Sequence, residues 1–334
     1  MLMTEEPTTQ SPITRHDPRE RQLPFEAEGL LNRALTAAAR TLHRRGILWR
    51  TNFTVRGQLG GRPLKVPLQF GAGWEHLRMV EVWLFHAMKA LLNGRPGAFV
   101  DVGVNVGHTL VKLKAVDRDR EYIGFEPNAH CLRYTQQLIS VNRFTRCTLV
   151  PIGISNRTGI MKLFMNPDAD PSATIVEGFR EADRYARAVP VPVFVGDDVL
   201  ETLGIQQVAV VKIDVEGGEL DVIEGLRRTL RQNAPYVFCE VLPVWDEHSE
   251  MGRFRLERQT TLQTVLAELG YVIFRIHFDA TVERLEEFGI HADMTQSNYV
   301  FVPRAEVGAF RRLFEERGAA TPLPEPRQLA IASR

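Results

Sequence analysis

Ala98-Phe-Val-Asp101-Val-Gly103-Val-Asn105-Val-Gly107 is the stretch whose reading decides the fold. An apolar run of strand length ends in a carboxylate and is followed by a glycine turn and a helical pattern. The spacing predicts a buried strand over 98–102, a tight turn at its carboxyl end, and a helix over 106–116. Gly103 lets backbone approach a ligand, and Gly107 lets the new helix pack close to the strand.

The turn departs from the pyrophosphate-binding pattern G-x-G-x-x-G, because Asn105 and His108 stand where the second and third glycines belong. A nucleotide-like ligand without phosphates suits it better. S-adenosylmethionine is such a ligand: its amino-acid end calls for a carboxylate and backbone N–H groups. Asp101 is then expected to orient the methionine amino group, directly or through water. The helix starting near Asn105 would present N–H groups and a positive dipole end to the methionine carboxylate.

Outward from this stretch, strands and helices alternate, which is the pattern of a mostly parallel sheet covered on both faces. Strands are expected at 98–102, 121–126, 147–153, 208–214, 235–241, 271–277 and 297–302. Helices are expected at 106–116, 128–141, 197–203, 217–231 and 259–269. A polar stretch joins the last two strands, which makes that pair a candidate for antiparallel pairing. Upstream, Glu26 to Arg45 has helical spacing, Thr51 to Gln69 reads as a hairpin around Gly57, Gly60 and Gly61, and Trp74 to Leu92 reads as one further helix. The expected units are a flexible arm over 1–24, a helix-and-hairpin extension over 25–70, a main domain over 71–317 and a loose tail over 318–334. Met165 to Arg187 is long and polar, either a substrate loop or a plain surface excursion.

With 334 residues, 44% hydrophobic, the chain can bury a full core. Forty-one basic and forty-one acidic residues balance, which argues against a general nucleic-acid binder. Cys131, Cys147 and Cys239 are odd in number and widely spaced, which suits a reducing cytoplasm and shows no metal-type pairing. No apolar run reaches the ~18 residues of a membrane span. Oligomeric state is open, and the N-terminal helix and hairpin could cover the sheet or a second subunit.

Two more motifs carry chemistry. The second strand runs into Glu126-Pro127, about 25 residues beyond Asp101 and near the usual spacing for an acid that grips ribose hydroxyls. A solvated glutamate at a strand end is the bland alternative. The fourth strand reads Val-Lys212-Ile-Asp214-Val-Glu216-Gly-Gly-Glu219, so Lys212, Asp214 and Glu216 point one way. Three charges on a central strand must pair, bind something, or emerge at the carboxyl edge, where ligands bind in doubly wound sheets. A structural Lys–carboxylate pair is the competing reading. Ser155-Asn156 closes the third strand, where an adenine amine would lie, although an ordinary Asn turn explains it as well.

Phe99–Gly107, Gly-Phe-Glu126-Pro-Asn, Val211–Leu220 and the later Glu224-Gly225 together resemble the FkbM family of class I, S-adenosylmethionine-dependent methyltransferases. The resemblance covers about residues 70–302, and its most specific part is the Lys-Ile-Asp-x-Glu-Gly-x-Glu run. It implies a three-layer, doubly wound α/β fold with a seven-stranded, mostly parallel sheet, and O-methylation of sugar, glycan or polyketide hydroxyls. Val104, Ala129 and Gly196-Asp197-Asp198 replace the usual alanine, proline and Leu-Asp-Asp.

The expected cofactor contacts are Asp101, Gly103, Asn105, Gly107, Glu126, Ser155 and Asp214. At the reaction centre, Asp214 is the first choice, followed by Glu216 and Glu240. These strand-end carboxylates could alternatively hold a divalent cation. His277 is a candidate base, with a satisfied sheet-edge histidine the more economical reading; His248 and His291 carry less weight, and Glu75 is a weak candidate near the methionine end. The acceptor, a small molecule or saccharide hydroxyl, would sit among 165–187, 242–258 and 278–294. Two other classes compete: a binding protein without catalysis, and a nicotinamide-dependent oxidoreductase, which the missing glycine fingerprint disfavours.

Overall fold

The structure, a computed structural model, describes residues 25–78, 81–166, 172–179 and 185–319. The expected arm over 1–24 and most of the expected tail lie outside these residues. The chain opens with β1 (Glu26–Ala27), α1 (Gly29–Arg44) and the hairpin β2 (Asn52–Leu59) and β3 (Arg62–Gln69). These form a three-stranded antiparallel sheet in the order β1-β2-β3. The expected helix 74–92 is two helices, α2 (Trp74–Arg78) and α3 (Val82–Leu91). Glu81 takes a left-handed backbone at φ 56° ahead of α3, a conformation that no continuous helix contains.

The central region then runs β4 (Ala98–Val102), α4 (His108–Val116), β5 (Tyr122–Phe125), α5 (Ala129–Asn142) and β6 (Cys147–Val150). The expected strand 147–153 breaks at Pro151, which has no N–H to give a ladder. Its continuation, β7 (Gly153–Ser155), joins β8 (Gly159–Met165) and β9 (Arg187–Val195) in a small sheet ordered β7-β9-β8. β7 pairs only with Val193–Val195. Pro190 and Pro192 therefore lie on the part of β9 that has β8 alone as a partner.

The remaining elements are α6 (Gly196–Thr202), β10 (Val208–Ile213), α7 (Glu219–Gly225), α8 (Arg227–Asn233), β11 (Tyr236–Glu240), α9 (Glu250–Glu268), β12 (Tyr271–Ile276), β13 (Val282–Leu285), β14 (Asn298–Pro303) and α10 (Val307–Ala319). The expected helix 217–231 is thus divided at Leu226. Its successor begins at Glu250 rather than 259, with the Ser249 hydroxyl accepting from the Gly252 N–H at 3.0 Å as its N-cap. α10 continues past residue 317, where a loose tail was expected to begin.

Among the described residues the central sheet has eight strands, ordered β13-β12-β14-β11-β10-β4-β5-β6. β6, β5, β4, β10 and β11 are mutually parallel, and β14 is antiparallel to both β11 and β12. That is the expected seven-stranded arrangement with its one reversed strand. β13, from the stretch read as a polar link, adds an eighth strand at the edge.

Alternation along each strand divides the core into two layers. Phe99 packs on one face with α3, α4, α5, α10 and the N-terminal unit. Val100 and Val102 pack on the other with α7, α8 and α9. The chain leaves β4 toward β5 on one side and later returns to β10 on the other. The crevice at their carboxyl ends is therefore the topological switch point where open α/β sheets bind ligands.

Candidate active site

The turn after β4 is clamped from both sides. The Gly103 N–H donates to the Phe125 carbonyl at 3.0 Å, and the Asp214 N–H donates to the Val102 carbonyl at 3.0 Å. A Cβ on Gly103 would lie 1.9 Å from the Asp214 carbonyl oxygen, and its φ is +89°. The close approach that requires this glycine is therefore to the neighbouring strand end, while Gly103 also lines the cavity, where the sequence places a ligand. Gly107, at φ +82°, sits against Leu138 and Thr135 of α5, so it admits a helix neighbour rather than the strand.

A cavity of about 230 Å³ opens at this switch point. Its floor is the turn Gly103–Asn105 and its sides are Glu126 and Asn128 after β5, Lys212 near the end of β10, and Asp214 and Glu216 after β10. Glu240, at the end of β11, and Glu81 complete its charged wall. Leu163, Ala173 and Ile175 supply an apolar side from the small-sheet region. Glu81, Asn105 and Glu216 are non-glycine residues with φ of 56°, 48° and 53°, so backbone strain gathers around this space.

Glu126 is buried, and both carboxylate oxygens accept backbone N–H groups at 2.7 Å, from Asn105 and from Asn128. Burial outweighs those two hydrogen bonds and pushes its pKa up to about 7. The Asn105 N–H, expected to face a ligand carboxylate, is already committed here. α4 itself begins at His108 rather than at 106.

Asp101 is completely buried beneath the cavity and is not part of its wall. It lies beside Lys212 in the β4–β10 register and accepts from the Tyr122 hydroxyl at 2.7 Å. Burial, only partly offset by Lys212 and Tyr122, lifts its carboxyl to about 7. The Lys212 ammonium lies 2.7 Å from Asp214. Burial pulls the lysine down, but Asp214, Glu81 and Asp101 outweigh it and hold the pKa above the ordinary value. The structural ion pair and the strand-end site are thus the same residues.

Glu240 accepts from the Ser297 hydroxyl at 3.2 Å, and burial together with Asp214 and Glu216 drives its carboxyl well above the usual range. Asp214, Glu216 and Glu240 therefore share one wall. Among the described residues no group of three or more His, Cys, Asp or Glu side chains is arranged to hold a metal ion.

Other expected site residues lie elsewhere. The cavity wall at the end of β6–β7 is Gly153 and Ile154, and Ser155 is buried beyond it. The Asn156 amide donates to Glu224 at 2.7 Å, and a Cβ on Gly225 would lie 2.2 Å from the Ser155 carbonyl. The Glu224-Gly225 pair therefore anchors this turn, which is the structural reading of both motifs. Glu75 pairs with Arg78 at 3.2 Å, and His277 lies 3.7 Å from Glu283 at the sheet edge. His248 lies on the exposed turn before α9, and the backbone N–H of His291 donates to the Val244 carbonyl. Of the three expected acceptor segments, 165–187 lines the cavity through Ala173 and Ile175, with 167–171 and 180–184 outside the described residues.

Glu81 and His108 are wall residues that the sequence reading missed. The signal for Glu81 was a lone carboxylate inside Met79-Val-Glu-Val-Trp-Leu-Phe85, which apolar periodicity absorbed into a helix. His108 was read only as a missing glycine.

This sheet order, with its reversed strand and its acidic crevice at the switch point, defines a class I methyltransferase fold. The model of the methyltransferase FkbM domain matches residues 101–273, more than half of the chain, and the chain belongs to that family. No curated protein sequence matches it. Among solved structures it is similar to the methyltransferase FkbM of Methylobacillus flagellatus KT, at 17% identity and a TM-score of 0.39. That alignment covers 65% of this chain but only 47% of the Methylobacillus chain. It is also similar to a precorrin-6y C5,15-methyltransferase of Geobacter metallireducens GS-15 (12%, TM-score 0.35, covering 66% and 86% of the two chains). A third is the Aeropyrum pernix fibrillarin solved with natively bound S-adenosyl-L-methionine (12%, TM-score 0.34, covering 66% and 75%).

Proposed function

We propose that this methyltransferase transfers the methyl group of S-adenosylmethionine to a hydroxyl oxygen of a small molecule, sugar or glycan. The observation that carries the reading is the one cavity lined by Glu126 on one side and by Asp214, Glu216 and Glu240 on the other. The donor set fits this cofactor. Glu126 faces the space with a carboxylate suited to two ribose hydroxyls, and Val104, Phe125 and Ile154 offer apolar surface for a base. His108 Nε2 is buried without a hydrogen-bond partner, a donor or acceptor left for a ligand.

S-adenosylmethionine, when bound, supplies an electrophilic methyl group on a positively charged sulfur. The protein's own work is to hold the acceptor oxygen in line, which in favourable systems is worth roughly 7–11 kcal/mol. Asp214 is the first residue assigned to the acceptor hydroxyl and its departing proton, with Glu216 beside it. Burial beside Asp214 and Glu216 drives the Glu240 carboxyl upward, which favours its protonated, hydrogen-bond-donating form over that of a base. The rings of this site are neutral as well: burial brings His76 down to about 4 and His108 well below its ordinary value. None of the three cysteines is in a disulfide, which supports a reducing, cytoplasmic setting, and among the described residues no helix is long and apolar enough to cross a membrane.

Methyl transfer from isotopically labelled S-adenosylmethionine to a panel of saccharides and small alcohols tests this reading. Base-stable methyl ethers, with turnover at least tenfold lower in Asp214→Asn, are the expected products. Methyl groups found on nitrogen or carbon would contradict the oxygen assignment, and full turnover in folded Asp214→Asn would remove Asp214 from the reaction centre.

A further inference from the structure

We propose that Glu81, and not Asp101, receives the ammonium group of the methionine half of the cofactor. The inference rests on the S-adenosylmethionine reading above and deepens it at one corner of the cavity.

Position is the first argument. Asp101 has no exposure and does not border the cavity; one of its oxygens accepts from Tyr122, and the other is buried without a hydrogen-bond partner. Glu81 is in the wall, and its side chain keeps 24% of its exposure. A ligand ammonium in the cavity can meet Glu81 directly, whereas Asp101 does not border that space.

Backbone is the second. A left-handed non-glycine residue costs on the order of 1–3 kcal/mol, and such strain persists where the surroundings impose it. Glu81 carries it at the N-terminal boundary of the apolar helix α3, where the sequence pattern is helical on both sides. Had the helix run through, position 81 would have stayed on the helical path of its neighbours. Lys112 of α4 secures the displaced carboxylate at 2.9 Å.

Chemistry is the third. Lys112 lies one helical turn after His108, so both project from the same face of α4 toward Glu81's side of the cavity. Glu81, the unpartnered His108 Nε2 and the start of α4 thus gather an anion, a neutral ring nitrogen and a helix N-terminus at one end of the cavity. An amino-acid zwitterion presents the complementary pair of charges. Burial raises the Glu81 pKa, but Lys112, Lys212 and the Lys112 hydrogen bond outweigh it and keep the group ionised at neutral pH. Asp101, near 7, is not held in that state.

The test compares two ligands by calorimetry: S-adenosylhomocysteine, and 5′-methylthioadenosine, which keeps the adenosine and thioether but has no amino-acid group. Glu81→Gln, whose amide oxygen still accepts from Lys112, is expected to weaken S-adenosylhomocysteine at least tenfold and to leave methylthioadenosine within twofold. A purely structural role would weaken both alike. Should Glu81→Gln fail to fold by circular dichroism, Glu81→Asp keeps the charge, withdraws it by one methylene and reads the same split. Equal losses for both ligands, no loss for S-adenosylhomocysteine, or a selective loss in Asp101→Asn instead would overturn the assignment. Wild-type protein that binds neither ligand would overturn the cofactor reading and this inference with it. Wild-type protein that binds both, with an unchanged ratio in Glu81→Gln, would overturn Glu81 alone.

Discussion

Glu126 shows how a single residue links burial to pH. Its carboxyl is raised from an ordinary carboxylate value to about 7, so the folded state holds a proton that the unfolded chain has already released. The stability this contributes is complete below the unfolded pKa, near 4.5, and is lost as pH rises through 7. Thermal melts of Glu126→Gln against wild type should therefore show a difference that moves in the variant's favour between pH 5 and pH 8. A pH-independent difference would mean that the carboxyl is not raised. Hydroxyl donors from a ribose favour the ionised form, so S-adenosylhomocysteine affinity should rise over the same interval and flatten in the variant. Gly103 makes a separate point. Alanine there meets both a positive φ and the Asp214 carbonyl, so Gly103→Ala should cost well over ~1 kcal/mol in urea unfolding.

At the scale of elements, the small-sheet segment before Phe179 is tied to α9 by Arg255. Its guanidinium donates to the Phe179 carbonyl at 3.0 Å and to the Pro243 carbonyl at 3.2 Å, and lies over the Phe179 and Trp245 rings. Arg255→Leu leaves two carbonyls without this donor, at roughly 1–3 kcal/mol for each that stays buried and unsatisfied. Hydrogen exchange over 174–179 should quicken in that variant, and an unchanged rate would show that other contacts hold the segment. Elements are also where sequence reading divided. Strands β4, β5, β10, β11 and β12 were legible because two-sided burial gives continuous apolar runs. The break before α3, the early start of α9 and strand β13 were not. Glu81 depends on Lys112, 31 residues further on, whereas the Ser249 cap of α9 and the β12–β13 hairpin are local features without an apolar pattern to mark them. The residues of the cofactor turn could be located from their motif, but not which of them face the cavity. Asp101 and Ser155 have the expected residue types in the expected places, yet both are buried and neither is in the cavity wall.

For the whole molecule, the N-terminal unit is part of the same core rather than an appendage. Val55, Val66 and Leu68 belong to the cluster that includes Phe99 and Leu110. Asn142 of α5 holds both the N–H and the carbonyl of Lys65 on β3, at 2.7 and 2.8 Å. The Tyr134 hydroxyl donates to the Pro67 carbonyl at 2.8 Å. Removing residues 25–72 should therefore abolish the cooperative melt of the remainder, whereas an unchanged melt would make the unit dispensable. The same packing holds α5, and with it the Glu126–Asn128 end of the cavity, against the sheet. The most direct measurement is calorimetry of the full chain with S-adenosylhomocysteine and, separately, with NAD. One-to-one binding of S-adenosylhomocysteine with no heat from NAD is the expected result. Tighter binding of NAD, or no binding of S-adenosylhomocysteine, would contradict the assignment of this cavity to the methyl donor.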